Sequence, residues 1–279
     1  MLSDQRPADL AGQRYWDQKW SEALSLEAID PHRNELHNFA HYSIHTFLVT
    51  ALRGTATEGR SLVEVGCARS GWLPYFAKEY GFELNGLDYS PVGCEQARAI
   101  LAHAGIRGRI FQGDLFQPPH ELVGTQDVVV TFGVVEHFVD TVAAIRALAR
   151  LMAPSGMLIT IIPNLTGLLG RIQHRLDRRI FNLHIPMTLG QLELVHREAG
   201  LSPVLSRYVM ASNWGVLNLG TWARGWRRTS VERLITWGAH FSWLVERGAA
   251  GHWKPNQWLS PYVAVAARFQ GDGSLHVAR

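Results

Sequence analysis

The sequence predicts an α/β fold: a doubly wound, mostly parallel seven-stranded sheet, with helices on the N-terminal side and a Trp-rich helical insertion before the last strand. Two observations predict it. From Ser61 onward, short β-rich runs alternate with longer stretches of helical spacing, and the runs are almost continuously apolar. Strands joined by covering helices are buried on both faces and read in that way.

The elements follow in order. Asp17 to Leu26 and Glu35 to Leu52 carry apolar positions at helical spacing, with Pro31 breaking between them, and Gly54 and Gly59 bracket a loop. Strands are predicted at Leu62–Val65, Phe82–Asp88, Gly108–Gln112, Asp127–Phe132 and Met157–Ile162, with helices at Trp72–Tyr80, Pro91–Ala104 and Thr141–Met152 between them. After Pro163 the alternation is interrupted. Leu165–Ile180 reads as an Arg-rich helical insertion, Thr188–Ala199 as a further covering helix stopped by Gly200, and Val204–Ala211 and Tyr262–Phe269 as the last two strands. Between those strands, residues 212–260 hold seven of the ten tryptophans. The expected organisation is a helical cap over 1–55, a ligand-binding core over 56–211, the Trp-rich insertion or lid over 212–259, and the last strand with a tail over 260–279.

Composition narrows the function classes. The chain has 279 residues, 47% hydrophobic and 18% charged, enough for a large core and unlike a disordered chain. Its mean hydropathy of −0.05 and its short apolar runs do not fit a multi-span membrane protein. Two cysteines, Cys67 and Cys94, exclude a disulfide scaffold and a four-thiolate zinc site. The N-terminal stretch lacks the apolar core of a secretory signal, so a cytoplasmic location is expected. The net charge of +3 is mild, with its arginine excess in the second half. No strongly basic domain or RNA-binding module appears, and no nucleic-acid partner is expected.

The chemistry sits at the ends of four consecutive strands. In SLVEVGCARSGW a strand runs through Glu64 into Gly66 and a tight turn before a helix. In a doubly wound sheet this edge is where ligands bind, and Gly66 lets the backbone pass close to one. The run is not the pyrophosphate fingerprint of nicotinamide enzymes, which disfavours a dehydrogenase. FELNGLD ends in Asp88, placed where an acid accepts both hydroxyls of a ribose; Ser90–Pro91 beyond it is a helix start, so Asp88 could instead serve as an N-cap. GDLF sets Asp114 at the next strand end, and TFGVVEHF closes the fourth with Gly133, Glu136 and His137.

At these residues the chain resembles the class I S-adenosylmethionine-dependent methyltransferases, the small-molecule group that includes the ubiquinone-biosynthesis O-methyltransferases, over about residues 62–200. The resemblance implies a Rossmann-like fold, an enzyme that uses S-adenosylmethionine and releases S-adenosylhomocysteine, and a set of contacts. Glu64, Gly66 and Cys67 would face the methionine part, Asp88 the ribose and Tyr89 the adenine face. Asp114 and Leu115 would hold the adenine edge, and Phe132 and Gly133 would line the turn under the sulfonium. Where the family usually has its second and third glycines this chain has Ala68 and Ser70, so a reshaped methionine pocket is expected.

Methyl transfer needs a base only when the acceptor carries a proton of high pKa, and His137 is the candidate. Tyr15, Trp16, His184, Trp214 and Arg224 are candidate acceptor contacts. The His37, His41 and His45 series shares a helix face, but no acid lies suitably near in the sequence and no metal is expected. Val231, Leu234, Ile235, Phe241, Leu244 and Val245 form an amphipathic pattern with Trp237 and Trp243 at its edges. Three readings stand for it: a lid over an apolar acceptor pocket, a homodimer interface, or a helix touching a membrane surface. The expected activity is methylation of a small hydrophobic or aromatic metabolite, oxygen preferred. The alternatives are N- or C-methylation of an anionic isoprenoid-like acceptor, with Arg224, Arg227 and Arg228 as anion contacts, or a cofactor-binding membrane-associated protein without turnover.

Overall fold

A computed structural model describes residues 7–21, 26–33, 38–248 and 253–270. Its strands are β1 (Ser61–Val65), β2 (Glu83–Asp88), β3 (Gly108–Gln112), β4 (Gln126–Phe132), β5 (Met152–Pro163), β6 (Leu201–Val209) and β7 (Tyr262–Phe269). They form one sheet in the order β3-β2-β1-β4-β5-β7-β6. The neighbours from β3 to β5 pair in parallel, and β7 runs antiparallel to both β5 and β6. The seven-stranded, mostly parallel sheet expected from the sequence is thus the observed one. The strand order reverses between β1 and β4, so a crevice opens at their carboxyl ends, where Val65 pairs with both Leu87 and Thr131.

The helices are α1 (Gln13–Trp20), α2 (Phe39–Ala51), α3 (Trp72–Tyr80), α4 (Pro91–His103), α5 (Thr141–Ala149), α6 (Leu168–Leu176), α7 (Arg178–Phe181), α8 (Leu189–Glu198) and α9 (Trp226–Gly248). Strand periodicity sorts the core into two layers. Val128, Val130, Met157, Ile159 and Ile161 point to the layer packed by α2, α3 and part of α9. Val129, Leu158, Ile162 and Val265 point to the layer packed by α5 and α8.

Several boundaries move for identifiable reasons. The first helix starts at Gln13 because Asp9 Oδ1 accepts from the Ala11 and Gly12 N–H groups and turns the chain there. Its predicted continuation past Ser21 enters residues 22–25, outside the described residues, and Ile29 instead donates to the Gly71 carbonyl. The helix expected to reach Met152 ends at Ala149, because the Leu151 carbonyl is taken by Thr125 and Gln126 across the sheet. The Arg-rich stretch is two helices, broken at Asp177, whose carboxylate caps the second through Ile180 N–H. The sixth strand stops at Val209, since Met210 has φ 67.

Candidate active site

The crevice holds a cavity of about 330 Å³, in the range of small-molecule sites. Each of the first four strands delivers a side chain to it. Glu64, next to the end of β1, is buried, and Gly66 turns the chain at φ 78 with its N–H on the Leu87 carbonyl. A Cβ at Gly66 would stand 2.5 Å from Val134 Cγ2, so this turn requires glycine. Ser70 Oγ donates to Glu64 Oε2 at 2.7 Å and accepts from Trp72 N–H at 3.1 Å, tying the acid to the start of α3. The serine that replaces a family glycine is therefore a clasp on the buried acid. Ala68 is accommodated because its neighbour on α4 is Gly93, where a Cβ would lie 2.5 Å from the Ala68 methyl.

Asp88 ends β2, buried, with Oδ2 accepting from Ala68 N–H at 3.0 Å and Oδ1 from Ser90 N–H at 2.8 Å. It is not the helix cap: Ser90 Oγ accepts from Gly93 N–H and caps α4 itself. Each carboxylate oxygen keeps lone-pair capacity toward the cavity. Gly113 donates to the Asp88 carbonyl and presents Asp114 and Leu115 to the same space. From β4 come Phe132, stacked on Trp72 with centroids 5.1 Å apart, and Gly133 at φ 68.

Beyond Gly133, a short turn over Val135–His137 buries two titratable groups. His137 Nδ1–H donates to the Leu183 carbonyl at 2.7 Å, which leaves Nε2 as the basic nitrogen. His184 Nδ1–H likewise donates to the Ile180 carbonyl at 2.8 Å, and the two imidazole centroids are 4.6 Å apart. Glu136 is 2% exposed, and neither of its oxygens has a hydrogen-bond partner among the described residues. One ligand atom from each of Glu136, His137 and His184 lies within 4.8 Å of the others, a donor set able to hold a divalent cation. A second such group joins His45 to His32 and Glu79, so an acid does stand beside that histidine, from a position remote in sequence; His37 lies outside the described residues.

Burial sets the protonation states. Desolvation pushes the Glu64 carboxyl up to about 8 against the opposing bond from Ser70, and Glu136 likewise to about 8. It raises Asp88 above the usual carboxylate range, opposed by backbone N–H groups. Desolvation, helped by His184, brings His137 down to about 4, so the imidazole is neutral at working pH.

An N-terminal strap closes one side. Leu10 N–H donates to the His137 carbonyl and Val139 N–H to the Ala8 carbonyl, while Tyr89 Oη donates to Asp9 Oδ2 at 3.0 Å. Ser90 Oγ donates to Asp17 on α1, and Gln96 Nε2 donates to the Trp20 carbonyl. Trp16 stands edge-on to His137 at 5.2 Å and stacks on Trp20, which lies under Arg69.

Of the residues expected to face a cofactor, Glu64, Gly66, Asp88, Tyr89, Asp114, Leu115, Phe132 and Gly133 line this cavity. Cys67 does not: its side chain is fully buried in the core against Gly86, where a Cβ would meet its sulfur at 2.7 Å. Of the expected acceptor contacts, Trp16 lines the cavity and His184 stands behind His137. Tyr15 packs on Trp16 outside it, and Trp214 packs on Gly238. Neither Trp214 nor Arg224 lines the cavity, to which residues 212–259 contribute nothing among the described residues. Trp20, on the N-terminal helix, and Ser70, in the turn expected to reshape the pocket, also line the cavity; sequence reading missed Asp9, Arg69 and Trp72. A glycine-poor turn rich in polar side chains pointed toward Arg69 and Ser70, whereas no local signal marked Asp9.

Charge defines what fits. Among the described residues, Asp9, Asp88 and Asp114 line the cavity with one guanidinium, Arg69, and the buried Glu64 beside them ionises readily next to a cation. That balance repels a pyrophosphate and favours a ligand carrying a positive centre. A vicinal diol matches Asp88, and the aromatic rings of Trp16, Trp20, Trp72 and Phe132 match a cation or a flat ring.

A family model described as a methyltransferase domain matches residues 36–206. A probable chloroplastic tocopherol O-methyltransferase of Oryza sativa subsp. japonica is 34% identical over 104 residues, 37% of this chain and 28% of that protein. A ubiquinone biosynthesis O-methyltransferase of Vibrio campbellii is 34% identical over 98 residues, 35% of this chain and 41% of that protein. The chain thus spans between about a quarter and two fifths of the length of these curated relatives. Among solved structures, a geranyl diphosphate C-methyltransferase of Streptomyces coelicolor A3(2) superposes with a TM-score of 0.58 at 13% identity, covering 92% of this chain and 97% of that one, which establishes a shared fold.

Proposed function

The chain belongs to the methyltransferase-domain family, and on that premise we propose that it transfers a methyl group from S-adenosylmethionine to a small hydrophobic or aromatic metabolite, onto oxygen. The observation that carries this reading is one cavity in which Asp88 offers two carboxylate oxygens at the end of β2 and Glu64 a buried acid at the end of β1. The relatives named above include O-methyltransferases, and the structural neighbour was solved in complex with S-adenosyl-L-homocysteine. When bound, S-adenosylmethionine supplies a methyl group on a sulfonium that an in-line nucleophile displaces, so positioning provides most of the rate.

The residues of this chain divide that work. Asp88 takes the ribose hydroxyls, Tyr89 and Leu115 flank the adenine with Asp114 at its edge, and Glu64 takes the positive end of the methionine part. Phe132, Gly133 and Trp72 shape the wall under the sulfur, and the strap with Trp16 and Trp20 excludes water. Glu64 holds a proton near neutrality in the ligand-free protein, because burial carries its carboxyl up to about 8. A cationic ligand beside it favours the ionised form. Binding at pH 7 is therefore expected to release a proton, and affinity to tighten as pH rises toward 8. Calorimetry in buffers of different ionisation enthalpy measures this, and Glu64→Gln removes the proton release; a wild type that releases none contradicts the assignment.

An O–H acceptor must lose a proton, and His137 Nε2 is the nitrogen left to receive it. Its depressed pKa makes it a weak base while Glu136 is protonated. Ionising Glu136, within 4.8 Å, raises the basicity of the imidazole, so kcat is expected to rise with pH through about 8. His137→Ala is expected to lower kcat by about 10² or more while the affinity for S-adenosylmethionine stays within about threefold. The test of the whole reading is S-adenosylhomocysteine formation with a panel of phenols and isoprenoid alcohols. Absence of any heat on mixing the chain with S-adenosylmethionine would overturn it.

A further inference from the structure

We propose that the face built by α6, α7, α9 and the loop before β7 docks on an anionic lipid bilayer surface. The proposal is independent of the methyl-transfer reading. The pattern of α9 allows three readings, and the structure bears on where its apolar stripe faces, which is outward. Trp226, Leu234, Trp237 and Phe241 are 75%, 70%, 77% and 70% exposed, and Leu244 is also exposed, whereas Ala239, Ser242 and Trp243 are buried. At 3.6 residues per turn the five exposed apolar side chains fall within about 80° of one another. Arg227 and Arg233 fall at the two edges of that arc, and Glu232 and Glu246 on the opposite half.

The surrounding surface is cationic. Residues 165–181 and 212–259 together hold ten Lys and Arg against three Asp and Glu, while the whole chain carries only +3, so the remainder of the molecule is net negative. The three acids are already engaged. Asp177 is buried and accepts from Thr221, Glu232 pairs with Arg228 at 2.7 Å, and Glu246 accepts from Ala211 N–H.

Hydrogen bonds and a cation–ring contact hold the two segments together as one face. Gln173 exchanges hydrogen bonds with Asn218 in both directions, and Trp222 Nε1 donates to the Leu176 carbonyl at 2.8 Å. Leu168 N–H donates to the Trp258 carbonyl, and Arg171 lies over the Trp258 ring at 5.4 Å. Exposed tryptophans on an apolar arc flanked by arginines are the arrangement of a helix lying in a headgroup layer, with rings at the acyl boundary and guanidinium groups on phosphates. A second copy is a poorer occupant, since a twofold pairing of this face sets arginines against arginines. A lid over the cavity is also a poorer occupant, since no described residue of 212–259 lines it.

Vesicle flotation tests the proposal on the full chain, with phosphatidylcholine alone or with about 30% phosphatidylglycerol. The expected result is binding to the anionic vesicles at least about tenfold tighter than to the neutral ones, weakened by salt. Trp237→Glu with Phe241→Glu is expected to abolish it, and Arg224→Glu, Arg227→Glu and Arg233→Glu to cost about fivefold or more each. Unaltered thermal unfolding midpoints show that the variants are folded. The proposal is overturned if folded wild type fails to float with anionic vesicles, floats equally with neutral ones, or is unaffected by these substitutions. It is equally overturned if wild type is a dimer that Trp237→Glu dissociates and that ignores lipid.

Discussion

Replacing Asp88 by alanine is expected to weaken the affinity for S-adenosylmethionine by about 100-fold or more, read by titration calorimetry. Hydrogen bonds to a charged acceptor contribute about 1.5–3 kcal/mol each, and two ribose hydroxyls have no other carboxylate at the end of β2 to turn to. The substitution also strips the acceptor from Ala68 N–H and Ser90 N–H, which the carboxylate now holds at 3.0 and 2.8 Å. Part of the effect is therefore disorder of the turn, and Asp88→Asn separates the two contributions. The amide keeps one acceptor oxygen and the side-chain volume, so its expected loss is intermediate, about tenfold. An alanine variant that binds within threefold of wild type removes the ribose assignment and the functional reading with it.

The second large effect is on stability and its pH dependence. The Glu136 carboxyl stands at about 8 in the folded protein against 4.5 for the free side chain, and Glu64 is raised in the same way. The native state therefore holds protons that the unfolded chain loses above about pH 4.5. This stabilising contribution is complete below that pH and disappears as pH climbs to about 8, at about 1.4 kcal/mol per unit for each group. His137 and His196, both lowered from 6.5 to about 4 by burial, act in the opposite direction and only as pH falls below 6.5. Between about pH 6.5 and 8 the two buried carboxyls dominate the slope. Urea unfolding of the ligand-free protein is expected to show Glu136→Gln relieving about 2 kcal/mol of the wild-type loss across that interval. An unchanged slope in the variant would mean that Glu136 is not protonated in the folded chain.

The strand ends were legible in the sequence because each is a local event. An apolar run stops at an acid or glycine, and the sheet order then places Glu64, Asp88, Asp114 and Gly133 at one rim. Ala68 and Ser70 looked like departures from a glycine pattern. Only packing showed that Gly93 makes room for one, and that the hydroxyl of the other bonds Glu64. Cys67 illustrates the converse: a residue adjacent to the ligand turn whose side chain the strand-to-turn geometry directs into the core.

Fold class, the chemical rim and the family resemblance were readable from local sequence, since hydrophobic period and turn chemistry are encoded within a few neighbouring residues. The tertiary structure alone decided three things: that Asp9 reaches Tyr89 across the cavity, that His184 stands beside His137, and that the apolar stripe of α9 faces outward. Each depends on which surfaces meet across long separations in the chain. An amphipathic period states that a helix has an apolar face but carries no information about what that face will meet.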